Sequence, residues 1–376
     1  MKPLLKPVDT NTVMIPARSL FPRRWTVPAV VAAAALLTAT GCASNHVAKE
    51  QARARWDDAR AQMLLQIAED QFQNGQIDKA DETTEDALRA SPRVAAVHVL
   101  VAKVELEQNQ LTAAGEALDA ALALEPEHAE ANYLQGVLAE QRLDYESALV
   151  SYTKAVATEP TDTAYLIAKS ETLLQLDRVD ASIVLLNDSL VRFPSEPAVF
   201  DTLAQLHESE GDHTQAAGLY RRALSLSPDD DALRRRLALS LLQAGETGGA
   251  AVHLAKLAGQ AEEQGDVPLL MALGQARLAG GVTEGAIEAF QRAASADPAS
   301  TAAWLGLAKA AVRDDVPEIA EPALERALDT ARTVDERVDA QLLRGMWQLR
   351  QNKPADAART LRGVLTTRPN DETAWL

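Results

Sequence analysis

The sequence has a single cysteine, Cys42, in 376 residues. An internal disulfide framework and a thiolate zinc site are therefore both excluded. Aromatic residues are scarce, at 4%, so whatever packs here packs mainly on alanine and leucine. No run reaches the 18 or more apolar residues that a membrane-spanning helix needs. Histidine is sparse too: His46, His98, His128, His207, His213 and His253. None forms H-E-x-x-H, since His207-Glu208-Ser209-Glu210 stops short of it. His207 and His213 straddle one turn and read as exposed helix-end residues, not as a metal pair. No G-x-x-x-x-G-K-S/T phosphate loop and no G-x-S-x-G elbow occurs. The glycine-rich run at 245–250 lacks the lysine such a loop requires. Basic charge is in deficit, with 37 Lys and Arg against 54 Asp and Glu, a net charge of −17. Such a chain is a poor ligand for phosphate backbones, so nucleic acid is excluded as the expected partner. No cofactor and no metal site are expected.

What is present is 47% apolar residues, enough for a core, which excludes general disorder. The length fits two or three domains, or one repetitive array. The N-terminus reads as an address. Residues 1–41 carry Lys2, Lys6, Arg18, Arg23 and Arg24 against Asp9 alone. An apolar stretch follows from Val27 to Thr40, too short to span a bilayer and the right length for a secretory signal core. Ala39-Thr40-Gly41 then precedes Cys42. This arrangement resembles a bacterial lipoprotein signal, although that family usually has leucine where Ala39 stands. The resemblance implies cleavage before Cys42, acylation of Cys42, and a mature net charge of −21. A start at Met14 would give a leader of more ordinary length. With Ala43 and Ser44 following and no aspartate, it implies an outer-membrane lipoprotein facing the periplasm in a Gram-negative host. Residues 42–60 read as the lipidated Cys and a polar tether passing into the start of a helix. Arg53, Arg55 and Arg60 face anionic lipid in one reading. Asp57 and Asp58 dilute them, and a solvated face is the alternative.

The rest of the chain is periodic. Pro92, Pro126, Pro160, Pro194 and Pro228 are each 34 residues apart, and Pro298 and Pro369 follow at about two periods each. Twelve residues before each proline stands Ala80, Ala114, Ala148, Ser182, Ala216, Ala286 or Ala357. Five before it stands Ala87, Ala121, Ala155, Ser189, Ala223, Ala293 or Val364. Between these small residues lies a large one: Leu118, Tyr152, Leu186, Tyr220, Phe290 or Leu361. This phase resembles the tetratricopeptide repeat (TPR), clearest over Leu203–Pro228 and Leu273–Pro298. The resemblance implies an all-α fold: an α-solenoid of about nine TPR helix-turn-helix repeats, wound as a right-handed superhelix. The repeats begin near Ala61, Ala95, Ala129, Thr163, Pro197, Asp231, Val267, Thr301 and Val338 and fill residues 61–371. Residues 372–376 are a stub of a further repeat, with Trp375 where a tenth first-helix tryptophan belongs. Either the sequence is a fragment or the stub docks back on the ninth repeat.

The physics fits the period. Neither helix of a hairpin can bury its apolar stripe alone. Gly75, Gly211, Gly245 and Gly281, or Asp144 and Asn352, stand at the turns, where a left-handed residue is needed. The prolines end the second helices. The run Asp229-Asp230-Asp231 reads as helix caps. The fourth copy departs from the pattern, with Lys169-Ser170 where Leu-Gly is expected. The sixth and eighth copies lack the proline, and their longer junctions at 258–266 and 330–338 are expected to lengthen a helix or loop.

By the family resemblance, the first helices line a concave groove that binds a protein or peptide partner. Repeats one to five supply Glu69, Glu107, Glu130, Glu140, Glu171, Asp201 and Glu208, against Lys103. Repeats six to nine supply Arg235, Lys309, Arg313 and Arg350, against Asp339. Tyr133, Met271, Leu305 and Met346 add apolar contacts. One reading is a bipolar groove that grips an elongated partner of opposite charge order. The other is a set of ordinary solvated helix faces. The expected function is a non-enzymatic scaffold, anchored to the membrane through Cys42, that supports an envelope machine such as a pilus, secretin or exopolysaccharide export system. The rivals are a periplasmic chaperone or adaptor presenting clients, and the remnant of a larger repeat-containing enzyme.

Overall fold

The computed structural model describes residues 27–260 and 265–375, with side chains from residue 46 onward. The basic leader, Met14 included, and residues 261–264 of the sixth junction lie outside the described residues. Among the described residues every regular element is a helix. The chain divides into two compact units, Met1–Leu124 and Glu125–Leu376.

The first unit opens on α1 (Val27–Gln73), whose last part pairs with α2 (Ile77–Ala90), followed by the hairpin α3 (Ala95–Glu107) and α4 (Leu111–Leu124). Here the structure differs from the expected polar tether, because α1 runs unbroken through residues 42–60. That segment holds five alanines and three arginines, with Lys49, Glu50 and Gln51, and has no proline or glycine after Gly41. Strong helix formers without a breaker continue the helix.

The second unit holds seven hairpins. They are α5 (Ala129–Gln141) with α6 (Tyr145–Thr158), α7 (Thr163–Gln175) with α8 (Val179–Ser189), α9 (Pro197–Ser209) with α10 (His213–Leu226), and α11 (Asp231–Gln243) with α12 (Thr247–Gln260). Next come α13 (Val267–Ala279) with α14 (Thr283–Ala296), α15 (Thr301–Arg313) with α16 (Pro317–Thr330), and α17 (Val334–Arg350) with α18 (Pro354–Thr367). Within each unit a helix packs on its hairpin partner and on the next hairpin, the arrangement of an α-solenoid.

The phased residues form the core. The small positions from Ala80 to Ala357, and the large side chains between them, are buried. The close approach is sharpest where a glycine faces a ring. A Cβ added at Gly136 would lie 2.5 Å from Tyr152, and one at Gly274 2.6 Å from Phe290. Position 170 meets the same crowding differently. Ser170 and Ser182 are both fully buried, their hydroxyl oxygens 2.6 Å apart, and Ser182 donates to the Ser170 carbonyl at 2.9 Å. The departure in the fourth copy is thus a matched pair, in which each serine satisfies the other.

Turn geometry is as the glycines imply, with φ of +71° at Gly75 and +82° at Gly245. One assignment is corrected. Asp144 has φ −94° and caps α6 by accepting from the Ser147 N–H. The left-handed residue of that turn is Leu143, at φ +59°. Asp230 caps α11 by accepting from the Leu233 N–H. The eighth junction lengthens a helix: α17 starts at Val334, one turn before the expected Val338, behind a capping box of Thr333 and Glu336.

The seven junction prolines share a further device. Each proline carbonyl accepts a side-chain hydrogen bond. Six residues on, His98, Asn132, Arg234, Trp304 and Trp375 each serve this role. Leu166 and Phe200 stand at that place in two copies and cannot donate. There Arg192 and Arg222 reach the carbonyls of Pro160 and Pro194 instead. The last helix, α19 (Glu372–Trp375), repeats the register through Trp375 and buries Ala374 against Val338, Leu361 and Val364. The stub packs on the ninth repeat in the register of a further first helix.

Gly136→Ala is expected to cost about 1–3 kcal/mol by overpacking against Tyr152, read by urea denaturation. Ser182→Ala alone is expected to cost about 1–3 kcal/mol, because it strands the Ser170 hydroxyl, whereas Ser170→Ala with Ser182→Ala together is nearly neutral. Additive losses in that double-mutant cycle would contradict the matched pair.

Candidate functional site

The residues expected to face a partner sit on first helices. In the first unit Glu69 is half-buried on α1, Lys103 lies on α3 with its Nζ 5.6 Å from the Phe72 ring centre, and Glu107 is exposed at the end of α3. Glu105, which the sequence reading passed over, is half-buried beside them. Burial, and then the Asp81 charge, push its carboxyl up.

In the second unit the acidic residues are engaged with their neighbours. Glu140 on α5 accepts from the Tyr152 hydroxyl at 2.9 Å and from Thr172 of the next repeat at 2.7 Å. Glu208 on α9 accepts from Tyr220 at 2.8 Å. Burial and these carboxylates hold both phenols protonated far above their ordinary range. Tyr133 on α5 stacks between Tyr152 and Tyr165, at 5.5 and 4.9 Å between ring centres. Glu130 occupies the first turn of α5. Glu171 on α7 keeps an exposed side chain, yet burial by its neighbours and the Glu140 charge raise its carboxyl.

The basic residues are also committed. Arg235 on α11 pairs with Asp266 at 2.6 Å. Arg313 on α15 donates to the Leu278 carbonyl at 2.7 Å, and Arg350 on α17 to the Val312 carbonyl. Both carbonyls belong to the last turn of the preceding first helix, where each also accepts a backbone N–H from the turn. Asp201 on α9 forms a two-pronged bridge with Arg236, both contacts 2.9 Å. Burial outweighs the guanidinium there and leaves the Asp201 carboxyl raised. The sequence reading missed Arg236, although it stands about one repeat after Asp201. Pairing charges at the repeat spacing would have found it. These contacts seal adjacent repeats, so much of the expected charge gradient is spent on seams.

One place brings the expected residues together around open space. A cavity of about 330 Å³ is lined from α13, α14, α15 and α17. Met271, Leu278, Phe290 and Leu305 give it an apolar lining, with Lys309 and Asp339 beside them. Met271, Leu305, Lys309 and Asp339 were all expected on this face. Gly306 contributes by having no side chain, since a Cβ there would stand 2.5 Å from Phe290. Met346 is exposed on α17 outside the cavity lining. Glu336 also lines it, its carboxylate engaged with the Arg332 and Thr333 N–H groups. A pocket of this kind holds an apolar side chain and offers the groups beside it one cation and, in Asp339, one carboxylate outside the cap.

His207 and His213 are half-buried, not exposed as expected. No group of three or more metal-binding side chains occurs among the described residues. Cys42 lies on α1. No described helix is long and apolar enough to cross a membrane.

A stack of two-helix hairpins with small-large-small packing at a 34-residue period defines a helical repeat protein. Tetratricopeptide repeat family models match residues 162–333 in one case, and 65–123, 102–163 and 315–372 in the other. The chain belongs to the tetratricopeptide repeat family, whose repeats are generally non-catalytic surfaces for other proteins. Among solved structures it is similar to the C-terminal part of a TPR repeat-containing protein from Cytophaga hutchinsonii, at 15% identity and TM-score 0.51, covering 64% of this chain and 96% of that one. It also matches PilW, described as a widely conserved type IV pilus biogenesis factor, at 20% identity and TM-score 0.49, covering 53% of this chain and 93% of that one. A tetratricopeptide repeat protein from Parabacteroides merdae matches at 17% identity and TM-score 0.46, over 72% and 99% of the respective chains.

The raised Glu171 carboxyl gives a test with a definite sign. At pH 7 the charge is disfavoured in the folded state, so Glu171→Gln is expected to stabilise the protein. Lowering the pH through the raised folded value protonates Glu171 and should close the gap, completely below the unfolded value near about 4.3. Urea unfolding of both proteins at pH 7 and pH 4 reads the difference, and a gap that widens on acidification contradicts the assignment.

Proposed function

We propose that the protein is a non-enzymatic scaffold that captures an extended protein segment along the first helices of its later repeats. The observation that carries this is the cavity between α13, α14, α15 and α17, where an apolar lining meets Lys309 and Asp339. Neither charged residue belongs to a salt bridge among the described residues. An apolar side chain of the partner enters the cavity, and its neighbours of opposite charge meet the two. Buried apolar area supplies affinity, while the charges fix direction along the groove.

In the same proposal the chain is an outer-membrane lipoprotein facing the periplasm, held through acyl chains on Cys42. The support is the sequence alone: the basic leader, the short apolar core, and the only cysteine directly after it. Two or more acyl chains hold a protein firmly on a bilayer, whereas one does so only marginally. The partner on this reading is a component of an envelope assembly such as a pilus, secretin or exopolysaccharide export system.

Two measurements check it. A photo-crosslinking side chain at Met271 should capture a defined envelope component that the same probe at exposed Arg359 does not. Lys309→Glu should weaken that capture by about tenfold, or about 1.4 kcal/mol. Equal capture from both positions would remove the groove reading. For the anchor, labelled palmitate should enter the protein in cells and disappear with Cys42→Ser.

A further inference from the structure

The outward face of α1 joins three observations that the scaffold reading leaves unused. At about 100° per residue, Lys49, Arg53, Trp56, Arg60, Met63 and Ile67 fall within an arc of about 80° on this helix. The opposite face carries Ala61, Leu65, Ala68 and Phe72, of which Ala61 and Leu65 pack into the core of the first hairpins. The arc itself is left open to solvent: Trp56 is 72% exposed, Met63 63% and Ile67 45%.

The acidic residues of the segment stand elsewhere on the helix. Glu50 and Asp57 lie about 100–120° from Trp56, and Asp58 and Glu69 behind them. Glu50 pairs with His46 at 3.3 Å. Asp58 accepts from Ser91 at 2.5 Å and lies 3.4 Å from Arg93. Only Asp58 and Glu69 lie well away from the arginines. Glu50 and Asp57 border the arc about 40–60° beyond Arg53, and Asp70 borders its other edge, so the cations and apolar groups fill the centre of the stripe with acids on its flanks. In a chain of net charge −17, three cations and three large apolar groups share the centre of one open stripe.

We propose that this stripe of α1 lies on an anionic phospholipid surface, with Trp56, Met63 and Ile67 entering the headgroup boundary and Lys49, Arg53 and Arg60 meeting lipid phosphates. Charge complementarity selects this occupant. A second copy would set the same three cations against themselves, whereas an anionic bilayer pairs all of them. Tryptophan and long basic side chains favour this boundary, where a ring or alkyl stem is buried and a polar end stays wet. The spacing 42, 49, 56, 63 is a run of sevens, which places Cys42 in the same helical register as the stripe. The proposal takes its location from the lipid-anchor reading, and its test does not depend on acylation.

The test is flotation of the full chain carrying Cys42→Ser, which has no acyl group, with phosphatidylglycerol-rich or phosphatidylcholine vesicles. Every variant keeps the apolar leader, so differences belong to the stripe. The expected result is preference for phosphatidylglycerol, reduced ~10-fold or more by Arg53→Glu with Arg60→Glu and reduced comparably by Trp56→Ser with Met63→Ser. Brominated lipid should quench a fluorescence component that Trp56→Phe removes. These positions are exposed, and circular dichroism checks that the helices persist. Equal flotation of parent and variants overturns the proposal. So does self-association in the absence of vesicles that Met63→Asp abolishes, which would make the stripe an interface between copies. Failure of palmitate labelling refutes the anchor alone and leaves this result standing.

Discussion

The structure depends on one steric fit: on every second helix after α2 a bulky side chain lies between residues too small to push back. Tyr152 against Gly136 and Phe290 against Gly274 and Gly306 show it most tightly. Close approach lets two otherwise marginal helices share one dry seam. The same ring then reaches the following hairpin, as Phe290 does at Gly306, so one side chain joins two repeats. Period and stacking both follow from repeating that contact.

Polar chemistry is subordinate to this packing. Tyr152 and Tyr220 bury their rings yet keep a hydroxyl, and Glu140 and Glu208 receive those hydroxyls. Burial of a phenol without an acceptor would be costly. The carboxylates that looked like a docking surface are therefore partly structural, and so are the arginines that reach the preceding helix. In the cavity between α13, α14, α15 and α17, the apolar side chains of Met271, Leu278, Phe290 and Leu305 are bordered by Lys309, Glu336 and Asp339. That division suits a surface that binds by shape first and by charge second.

The fold was legible because its signals repeat. Helix starts at Ala95, Ala129, Thr163, Pro197, Asp231, Val267 and Thr301 coincide with the expected repeat starts, since seven phased prolines and the alanines between them point to one period. Single-site features were less legible. Leu143 took the left-handed turn position because Asp144 was needed as a cap, a choice that composition favours in the other direction. The Ser170–Ser182 pair looked like a flaw until both halves were brought together across a hairpin. The partners of the charged residues were not legible for a physical reason: position on a helix face was readable, but the neighbour one repeat away was not considered. Arg236 answers Asp201 across that distance. Asp57 and Asp58 look equivalent in the linear sequence, and helical phase alone shows that Asp58 turns to Ser91 and Arg93 while Asp57 stays beside Arg53 and Arg60.

The junction carbonyls carry a consequence for how such a chain grows. His98, Asn132, Arg234, Trp304 and Trp375 answer the proline six residues earlier, so acceptor and donor travel together on one short stretch of gene. Duplication or loss of a whole unit by unequal crossing-over keeps each such joint intact, and four chemically different side chains serve equally. The joints at Pro160 and Pro194 are tied instead to Arg192 and Arg222, nearly a full period away. Those two copies are inherited as complete cassettes or leave an acceptor bare, which marks the middle of the array as its least interchangeable part.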